Sequence, residues 1–404
     1  MQQHIVKKGD TVARIAAAAG LTPEHIVQGN PWAASQPYLI PGQILYLPSP
    51  PRRRCSLQQG DHAELLAQRF SVSVEDLEQL NPGLLAGRLK PGTVVVLPPP
   101  KKEKRVSLRG EYGPSELAAD AAALKEAYPF IEVRSIGASV MGKPITLLKL
   151  GEGPRYLHVN AALHANEWMT SACLMSFIEQ YAAAVAQDTE WLGSRPADWY
   201  RNWTLLAVPM ANPDGVELVQ EGAQADHPLY AELLRWNGGR TGYRHWKANI
   251  RGVDLGDQFP AFWEEERQRR GAPGPGPRDY GGEAPLSEPE AAALVRLAEE
   301  YPGDAAVSLH SQGQEIYWNY RGYEPPDSER LAQKLAAAAP GYRPVYLEGS
   351  DAGYKDWFIL HTRKPAFTIE LGWGRNPLPA SEFEDMALET GRMLAELLQY
   401  ETSE

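Results

Sequence analysis

The segment RYLHVNAALHANEWMTSACLMSF (155–177) decides the fold of the larger part of this chain. Residues 155–163 are short, apolar and typical of a buried strand, whereas residues 167–185 carry apolar side chains at helical spacing. The turn between them, LHANEW, places His164 and Glu167 three residues apart. A strand that runs into a helix in this way is typical of the crossover connections in parallel sheets.

The same alternation of strands and helices continues on both sides of this segment. Further strand-like stretches lie at 202–210, 304–311 and 365–373, and helical patterns lie at 116–129, 287–302, 328–340 and 384–400. Residues 106–404 are therefore predicted to form an α/β domain, with a mixed, largely parallel central sheet and helices on both faces. The Gly/Pro-rich segment 271–285 is too long for a simple connection and is expected at a binding rim.

The first hundred residues contain a repeat. The Gly-Asp pair at 9–10 recurs at 60–61, the Asn-Pro pair at 30–31 recurs at 81–82, and LIPGQILYLP (39–48) matches LKPGTVVVLP (89–98). Each unit is predicted to fold as strand, helix, helix and strand. The units occupy residues 1–49 and 54–98, and the proline- and lysine-rich segment 99–105 predicts a semi-rigid linker before the large domain.

Composition excludes several classes of partner. The net charge of −11 disfavours nucleic acid, which needs a basic face to bind phosphates. No apolar run approaches the roughly 20 residues that span a bilayer, so no membrane partner is expected. The first residues show no secretory signal, which leaves the cytoplasm, the spore and the cell wall as possible locations. The oligomeric state stays open.

Polar side chains follow three of the predicted strands. His164 and Glu167 come after the first strand, His310 after DAAVSL, and Glu370 after PAFTI. Ligands gather at the carboxyl ends of strands in α/β sheets. Two histidines and a carboxylate are a common ligand set for catalytic zinc, and a second carboxylate can take a proton from water. Taken singly, each residue also fits a structural role, such as a helix cap or a core histidine.

Five ordered motifs raise the metal hypothesis above chance. In chain order they are LHANEW (163–168), VPMANPDGVEL (208–218), WKANIRGVDL (246–255), SLHSQG (308–313) and FTIELG (367–372). This set resembles the carboxypeptidase A-like zinc peptidases over about 106–404. The resemblance implies a carboxypeptidase-like fold and one zinc ion held by His164, Glu167 and His310. It also implies that Glu370 acts as the general base.

The family also uses a cation to stabilise the oxyanion of the reaction. Lys247 holds the place of the family's arginine, and Arg251 and Arg244 are close enough in sequence to serve instead. Asn249 of the same motif is expected to contact the substrate.

The motif GVDLGDQFP departs from the family pattern. Gly256 and Asp257 stand where carboxypeptidases have the Asn-Arg pair that grips the free C-terminal carboxylate of the substrate. Asp257 is expected to repel such a carboxylate, so a standard exopeptidase is disfavoured.

The segment EGSDAGYKDWF (348–358) resembles the one that carries the family's mobile tyrosine and lines its specificity pocket. Glu348 stands where that tyrosine is expected, and Tyr346 and Tyr354 are nearby candidates for substrate binding. Lys355 falls at the position that selects the side chain on the leaving side of the bond. A lysine there favours an acidic group such as the distal carboxylate of diaminopimelate, unless it is a surface lysine.

The two N-terminal units resemble LysM modules, although the second has His62 where the family usually has threonine. The resemblance implies binding of N-acetylglucosamine-containing glycan, chiefly peptidoglycan; the alternative is a bare structural spacer. The glycan-binding residues implied are Gly9, Asp10, Thr11, Asn30, Pro31, Gly60, Asp61, Asn81 and Pro82.

LysM modules joined to this catalytic type resemble bacterial γ-D-glutamyl-meso-diaminopimelate peptidases. The predicted function is therefore zinc-dependent hydrolysis of the γ-D-glutamyl-meso-diaminopimelate bond in peptidoglycan stem peptides. The alternatives are a zinc carboxypeptidase acting on other peptides and a glycan-binding pseudoenzyme.

Overall fold

A computed structural model describes the large domain without interruption over residues 110–400. Before it, the described residues are 2–7, 10–12, 15, 26–27, 29–34, 39–47, 54–57, 62–70, 74–85, 90, 92–96, 106 and 108. The expectations for Gly9, Gly60 and Asp61 lie outside the described residues.

Each N-terminal unit contains a two-stranded antiparallel sheet. In the first unit β1 (Gln2–Ile5) pairs with β2 (Ile44–Leu47), and in the second β3 (Arg54–Ser56) pairs with β4 (Val94–Val96). Between the paired strands lie the short 3-10 helix Pro31–Ala34 in the first unit and the helices Ala63–Phe70 and Val74–Leu80 in the second. Each unit has its own cluster of buried apolar side chains.

Asn30 and Asn81 play the same structural part in the two units. The side-chain amide of Asn30 donates to the carbonyl oxygens of Ile26 at 2.7 Å and Tyr46 at 2.9 Å, and its oxygen accepts from the Tyr46 N–H at 2.8 Å. Asn81 donates to the carbonyl oxygens of Leu77 and Val96 and accepts from the Val96 N–H. Both side chains are buried. These contacts tie helical backbone to the closing strand, so the two amides are used within the fold rather than presented to a glycan.

The large domain is built on one eight-stranded sheet. Its strands are β5 (Glu132–Ala138), β6 (Pro144–Leu150), β7 (Arg155–Ala161), β8 (Trp203–Val208), β9 (Ala305–His310), β10 (Glu315–Tyr317), β11 (Arg343–Val345) and β12 (Ala366–Glu370). The order across the sheet is β11-β10-β12-β9-β7-β8-β6-β5. The central strands β8, β7, β9 and β12 are parallel, whereas β10 on β12, β6 on β8 and β5 on β6 are antiparallel. The predicted mixed, largely parallel sheet is confirmed.

Helices cover both faces of this sheet. They are Pro114–Ala127, Met169–Gln187, Pro196–Asn202, Pro213–Glu221, Tyr230–Trp236, Trp263–Arg270, Pro289–Glu300, Ser328–Ala338, Tyr354–Thr362 and Phe383–Leu397. One apolar core lies beneath Met169–Gln187 and Phe383–Leu397, and a second lies beneath Pro289–Glu300 and Tyr354–Thr362. Strands β8 and β9 are buried along their whole length because helices pack on both sides. None of the described helices combines the length and the apolar character needed to cross a membrane.

Candidate metal centre

The sheet brings the polar strand ends together. Strands β7, β9 and β12 are adjacent and parallel, so their carboxyl ends share one edge. His310 and Glu370 are the last residues of β9 and β12 and are partners in the strand register. His164 follows the end of β7, and Glu167 closes the 3-10 turn Ala165–Glu167 directly after it. This is the edge at which the sequence predicts a metal site.

Three electron-pair donors meet at one point on this edge. The Nδ1 atom of His164 lies 2.9 Å from Oε1 of Glu167, and Nδ1 of His310 lies 3.0 Å from Oε2 of Glu167. The two Nδ1 atoms are 3.1 Å apart. All three side chains are buried, and among the described residues they form the group of histidine, cysteine and acidic side chains that could hold a metal ion.

Hydrogen bonds on the far side of each ring orient the two histidines. Nε2 of His164 lies 3.2 Å from Oδ1 of Asp254. Nε2 of His310 lies 3.1 Å from the Ser308 hydroxyl, which itself donates to Asn160 at 2.7 Å. In this arrangement each Nε2 carries the ring proton and donates it to its partner. These hydrogen bonds orient the rings so that both Nδ1 atoms face the carboxylate of Glu167. This donor set fits a zinc ion with an open fourth position.

The two carboxylates beside His164 favour a positive charge on its ring. Burial opposes a positive charge on His164, but the negative charges of Glu167 and Asp254 outweigh it and raise the pKa of His164 to about 9. A divalent ion bound here would take the same lone pair in place of the proton.

Glu370 stands next to this group as a carboxylate with an unusual proton affinity. Burial, followed by the negative charge of Glu167, raises the pKa of Glu370 to about 8. A group that changes protonation near neutral pH can both accept and release a proton. Its place beside His310 in the strand register suits a general base.

Of the three cations considered from the sequence, Lys247 is the one whose charge interacts with the site. Burial opposes the positive charge of Lys247, but Asp254 and Glu167 outweigh it and raise its pKa. Its carbonyl oxygen also accepts from the N–H of Ala165, 2.9 Å away. The other two are held by other carboxylates: Arg251 lies 3.6 Å from Glu288, and Arg244 lies 2.5 Å from Glu111.

Sequence reasoning missed three residues that hold the metal ligands in place. Asp254 and Ser308 orient the two histidines, as described above. Asn376 donates to the carbonyl oxygen of Ser311 at 2.6 Å, and the N–H of Ser311 donates to Glu167 at 3.1 Å. Asp254 lies in the motif GVDL and so carried a sequence signal. Ser308 opens the motif SLHSQG and so carried one too. Asn376 carried none, because its contact with Ser311 joins positions far apart in the chain.

The two residues that depart from the family pattern have structural partners. A Cβ atom on Gly256 would lie 2.6 Å from Nε2 of His164, so the loop needs glycine there. Asp257 is buried and lies 3.0 Å from Nε of Arg270. Burial raises the pKa of Asp257 to about 7, although Arg270 acts in the opposite direction. Arg270, which also pairs with Glu266, therefore faces the carboxylate of Asp257, and the expected repulsion of a substrate carboxylate stays a prediction.

Lys355 is neither an exposed lysine nor a free cation. Its ammonium group donates to the carbonyl oxygen of Asn319 at 2.7 Å and contacts the carboxylate of Asp356. It also lies 5.5 Å from the centre of the Tyr320 ring. The side chain is buried, so its charge is satisfied within the protein.

The other expected substrate contacts differ in exposure. Asn249 is fully buried, and its amide donates to Glu288 at 2.7 Å. Tyr354 is buried against Phe259 and other aromatic rings. Both side chains are packed inside the domain, and their expected substrate contacts stay predictions. Tyr346 is exposed and packs edge-to-face on Trp318, so it keeps its place as a candidate.

Comparison with known proteins agrees with this fold and identifies the family. Residues 117–392 match the zinc carboxypeptidase family, Peptidase M14, and residues 4–48 and 56–98 match the LysM domain. The chain belongs to the zinc carboxypeptidase family and carries two LysM domains. The predicted resemblance to a zinc peptidase with two LysM modules is confirmed.

Two relatives and one solved structure illustrate the match. Gamma-D-glutamyl-L-diamino acid endopeptidase 1 of Lysinibacillus sphaericus is 44% identical over 273 residues, which are 68% of this chain and 68% of that protein. The uncharacterized protein YqgT of Bacillus subtilis (strain 168) is 39% identical over 286 residues, 70% of this chain and 76% of its own. The structure of bovine thrombin-activatable fibrinolysis inhibitor in complex with tick carboxypeptidase inhibitor superposes with a TM-score of 0.56. It is 22% identical, covers 73% of this chain and 97% of its own, and supports the fold alone.

Proposed function

We propose that this protein is a zinc-dependent hydrolase of peptidoglycan stem peptides. It cleaves the bond between the γ-carboxyl group of D-glutamate and the amino group of diaminopimelate, and its LysM modules bind the wall glycan. The observation that carries the proposal is the convergence of His164, Glu167 and His310 beside Glu370, at the edge of a carboxypeptidase-like sheet.

His164, Glu167 and His310 would hold the zinc ion through two Nδ1 atoms and one carboxylate. When bound, zinc supplies Lewis-acid polarisation of the scissile carbonyl group and makes water easier to deprotonate. Asp254 keeps the proton of His164 on Nε2 and so keeps Nδ1 available.

Glu370 and Lys247 carry out the remaining steps. Glu370 takes a proton from the attacking water as the water oxygen bonds to the carbonyl carbon. It then passes that proton to the nitrogen as the C–N bond breaks. Lys247, a buried cation facing the same acidic groups, stabilises the negative charge that develops on the carbonyl oxygen.

The choice of bond rests on the relatives and on the departures from the family pattern. The relative from Lysinibacillus sphaericus is named as a γ-D-glutamyl-L-diamino acid endopeptidase. In this chain Asp257 stands at the position of the arginine that binds a C-terminal carboxylate in the family. Arg270 pairs with Asp257. A bond inside a peptide stem does not require that grip. Lys355, which is expected to favour an acidic group on the leaving side of the bond, is buried and donates to the carbonyl oxygen of Asn319.

The LysM modules suggest the polymer on which the enzyme works. The turn of the first module is closed by Asp10, which accepts from the N–H of Lys7 at 2.8 Å and contacts His4 at 2.7 Å. Pro31 and Pro82 are exposed beside the buried asparagines. We infer that glycan contacts are made by these turns, including the half-buried Thr11, while Asn30 and Asn81 maintain their shape.

Hydrolysis of defined peptides tests the proposed function. The purified, zinc-loaded chain is given L-Ala-γ-D-Glu-meso-diaminopimelate or a hippuryl-amino acid, and mass spectrometry identifies the products. We expect L-Ala-γ-D-Glu and free diaminopimelate from the first peptide, and loss of both products with a chelator. Faster cleavage of the hippuryl substrate would instead establish an ordinary carboxypeptidase and overturn the proposal.

A further inference from the structure

The Gly/Pro-rich loop 271–285 is fastened to the segment that carries Lys247 and Asp254. The carbonyl oxygen of Pro277 accepts from the N–H of Lys247 at 2.8 Å and from that of Ala248 at 3.0 Å. On the other side of Arg278, the N–H of Asp279 donates to Oδ2 of Asp254 at 2.9 Å. The backbone of Arg278 is thus held between two anchors beside the candidate metal centre.

The side chain of Arg278 faces solvent from this position. Its Nε donates to Asp279 at 3.0 Å, and 58% of the side chain is exposed. Its chain neighbours are Pro277, which is hydrogen-bonded to the backbone of Lys247, and Asp279, which is hydrogen-bonded to Asp254. Arg278 therefore adds positive charge to the exposed side of the site, next to the buried Lys247.

Other arginines of this region already serve a carboxylate inside the fold. Their partners are only 0 to 5% exposed, whereas the Asp279 side chain that holds Arg278 is 34% exposed. The pairs are Arg244 with Glu111, Arg251 with Glu288, and Arg270 with Asp257. Arg278 differs from them because its Nε pairs with a more exposed carboxylate and 58% of its own side chain is exposed.

The proposed substrate carries an anion that suits this cation. When D-glutamate is linked through its γ-carboxyl group, its α-carboxylate stays free, and its carbon lies about 5 Å from the scissile carbonyl carbon in an extended chain. An α-linked residue without an acidic side chain carries no carboxylate at that distance. A cation near Lys247 can therefore favour the γ-linked D-glutamyl residue over such residues by a charge-assisted hydrogen bond.

We propose that Arg278 determines specificity for the γ-linked substrate by binding the α-carboxylate of its D-glutamyl residue. This inference rests on the proposed function. The guanidinium group binds the carboxylate without taking part in bond cleavage. Its loss should therefore raise KM and leave kcat nearly unchanged.

A pair of substrates that differ only in this carboxylate tests the inference. The zinc-loaded chain is given L-Ala-γ-D-Glu-meso-diaminopimelate and the same peptide with the D-glutamyl α-carboxylate converted to an amide. The ratio of kcat/KM for the two peptides is measured for the parent, Arg278→Ala and Arg278→Lys. Calorimetry of the product L-Ala-γ-D-Glu and its α-amide gives a second readout, which does not depend on turnover.

Arg195→Ala is the matched control. Arg195 is 55% exposed and lies 2.8 Å from Asp188, but it stands beyond the end of the helix Met169–Gln187, away from the metal centre. We expect the parent and Arg195→Ala to prefer the acid over the amide by about tenfold, in line with one charge-assisted hydrogen bond. Arg278→Ala should show a ratio near one, and Arg278→Lys a value in between.

The outcomes separate this inference from the proposed function. If the parent cleaves the γ-linked peptides with equal efficiency, or if Arg278→Ala keeps the full preference, Arg278 does not bind the carboxylate and the inference is overturned. In both cases the proposed hydrolysis stands. If the parent cleaves neither γ-linked peptide, the proposed function itself fails and the inference fails with it.

Discussion

Replacing Asp254 by asparagine probes how the metal ligands are oriented. The carboxylate accepts from three donors: Oδ1 faces Nε2 of His164 and the N–H of Gly256, both at 3.2 Å, and Oδ2 faces the N–H of Asp279 at 2.9 Å. Asparagine has the same shape but only one oxygen. Whichever way its amide is turned, an NH2 group faces an N–H that now lacks an acceptor.

The size of the effect follows from these contacts. A buried donor left without a partner costs about 1–3 kcal/mol of folding free energy. Loss of the partner that orients a metal-binding histidine typically weakens metal binding about 10- to 100-fold, or about 1.4–2.7 kcal/mol. We therefore expect Asp254→Asn to remain folded, with lower stability and a zinc dissociation constant raised within this range. Competition with a chromogenic chelator measures the dissociation constant, and thermal unfolding followed by circular dichroism checks the fold.

Asp304→Asn provides the comparison. Asp304 precedes the amino end of β9, whose other end is His310, and it accepts from the N–H of Tyr156 at 3.0 Å. The substitution removes one carboxylate charge at the opposite end of β9 from the metal centre. Zinc affinity should therefore stay within about twofold of the parent. A folded Asp254→Asn protein that binds zinc as tightly as the parent would refute the assignment of Asp254 as the residue that orients His164.

Three further predictions concern other parts of the protein. Glu370→Gln should lower kcat by about 10²- to 10⁴-fold while zinc content stays at one ion per chain; an active variant with bound zinc would exclude Glu370 as the base. Gly256→Ala places a methyl group 2.6 Å from Nε2 of His164 and should weaken zinc binding. The control Gly274→Ala, at a position with open space around it, should leave zinc binding unchanged. Equal zinc dissociation constants for the two variants would contradict the close approach at Gly256. Asn81→Ala removes three hydrogen bonds and should destabilise the second LysM module by about 2–4 kcal/mol; unchanged thermal unfolding of that module would show that Asn81 is dispensable.

The buried asparagines show how the structure changed the interpretation of the repeats. Asn30 and Asn81 stood out in the sequence because both copies contain them. That repetition is equally expected of a glycan contact and of a structural contact. Only the positions of Tyr46 and Val96, which lie far along the chain on the closing strands, show that the amides bind backbone. The repeated sequence pattern indicates that the two asparagines are needed, and the tertiary contacts show that their role is to bind the backbone of the closing strands.

The sequence by itself determined the alternating α/β pattern, the two repeats and the edge at which a metal site should lie. The physical reason is that strand and helix periodicity are local, and parallel strands must place their carboxyl ends together. His164, Glu167, His310 and Glu370 could therefore be grouped without coordinates, and the structure brings them to one edge of the sheet.

The tertiary structure alone decided which charges are free. The pairing of Asp257 with Arg270, the burial of Lys355 and the exposure of Arg278 depend on which elements meet across the fold. A charged side chain has the same letter in the sequence whether its partner is a buried carboxylate or water. Its availability to a substrate depends on desolvation and on neighbours distant in the chain, and these exist only once the chain has folded.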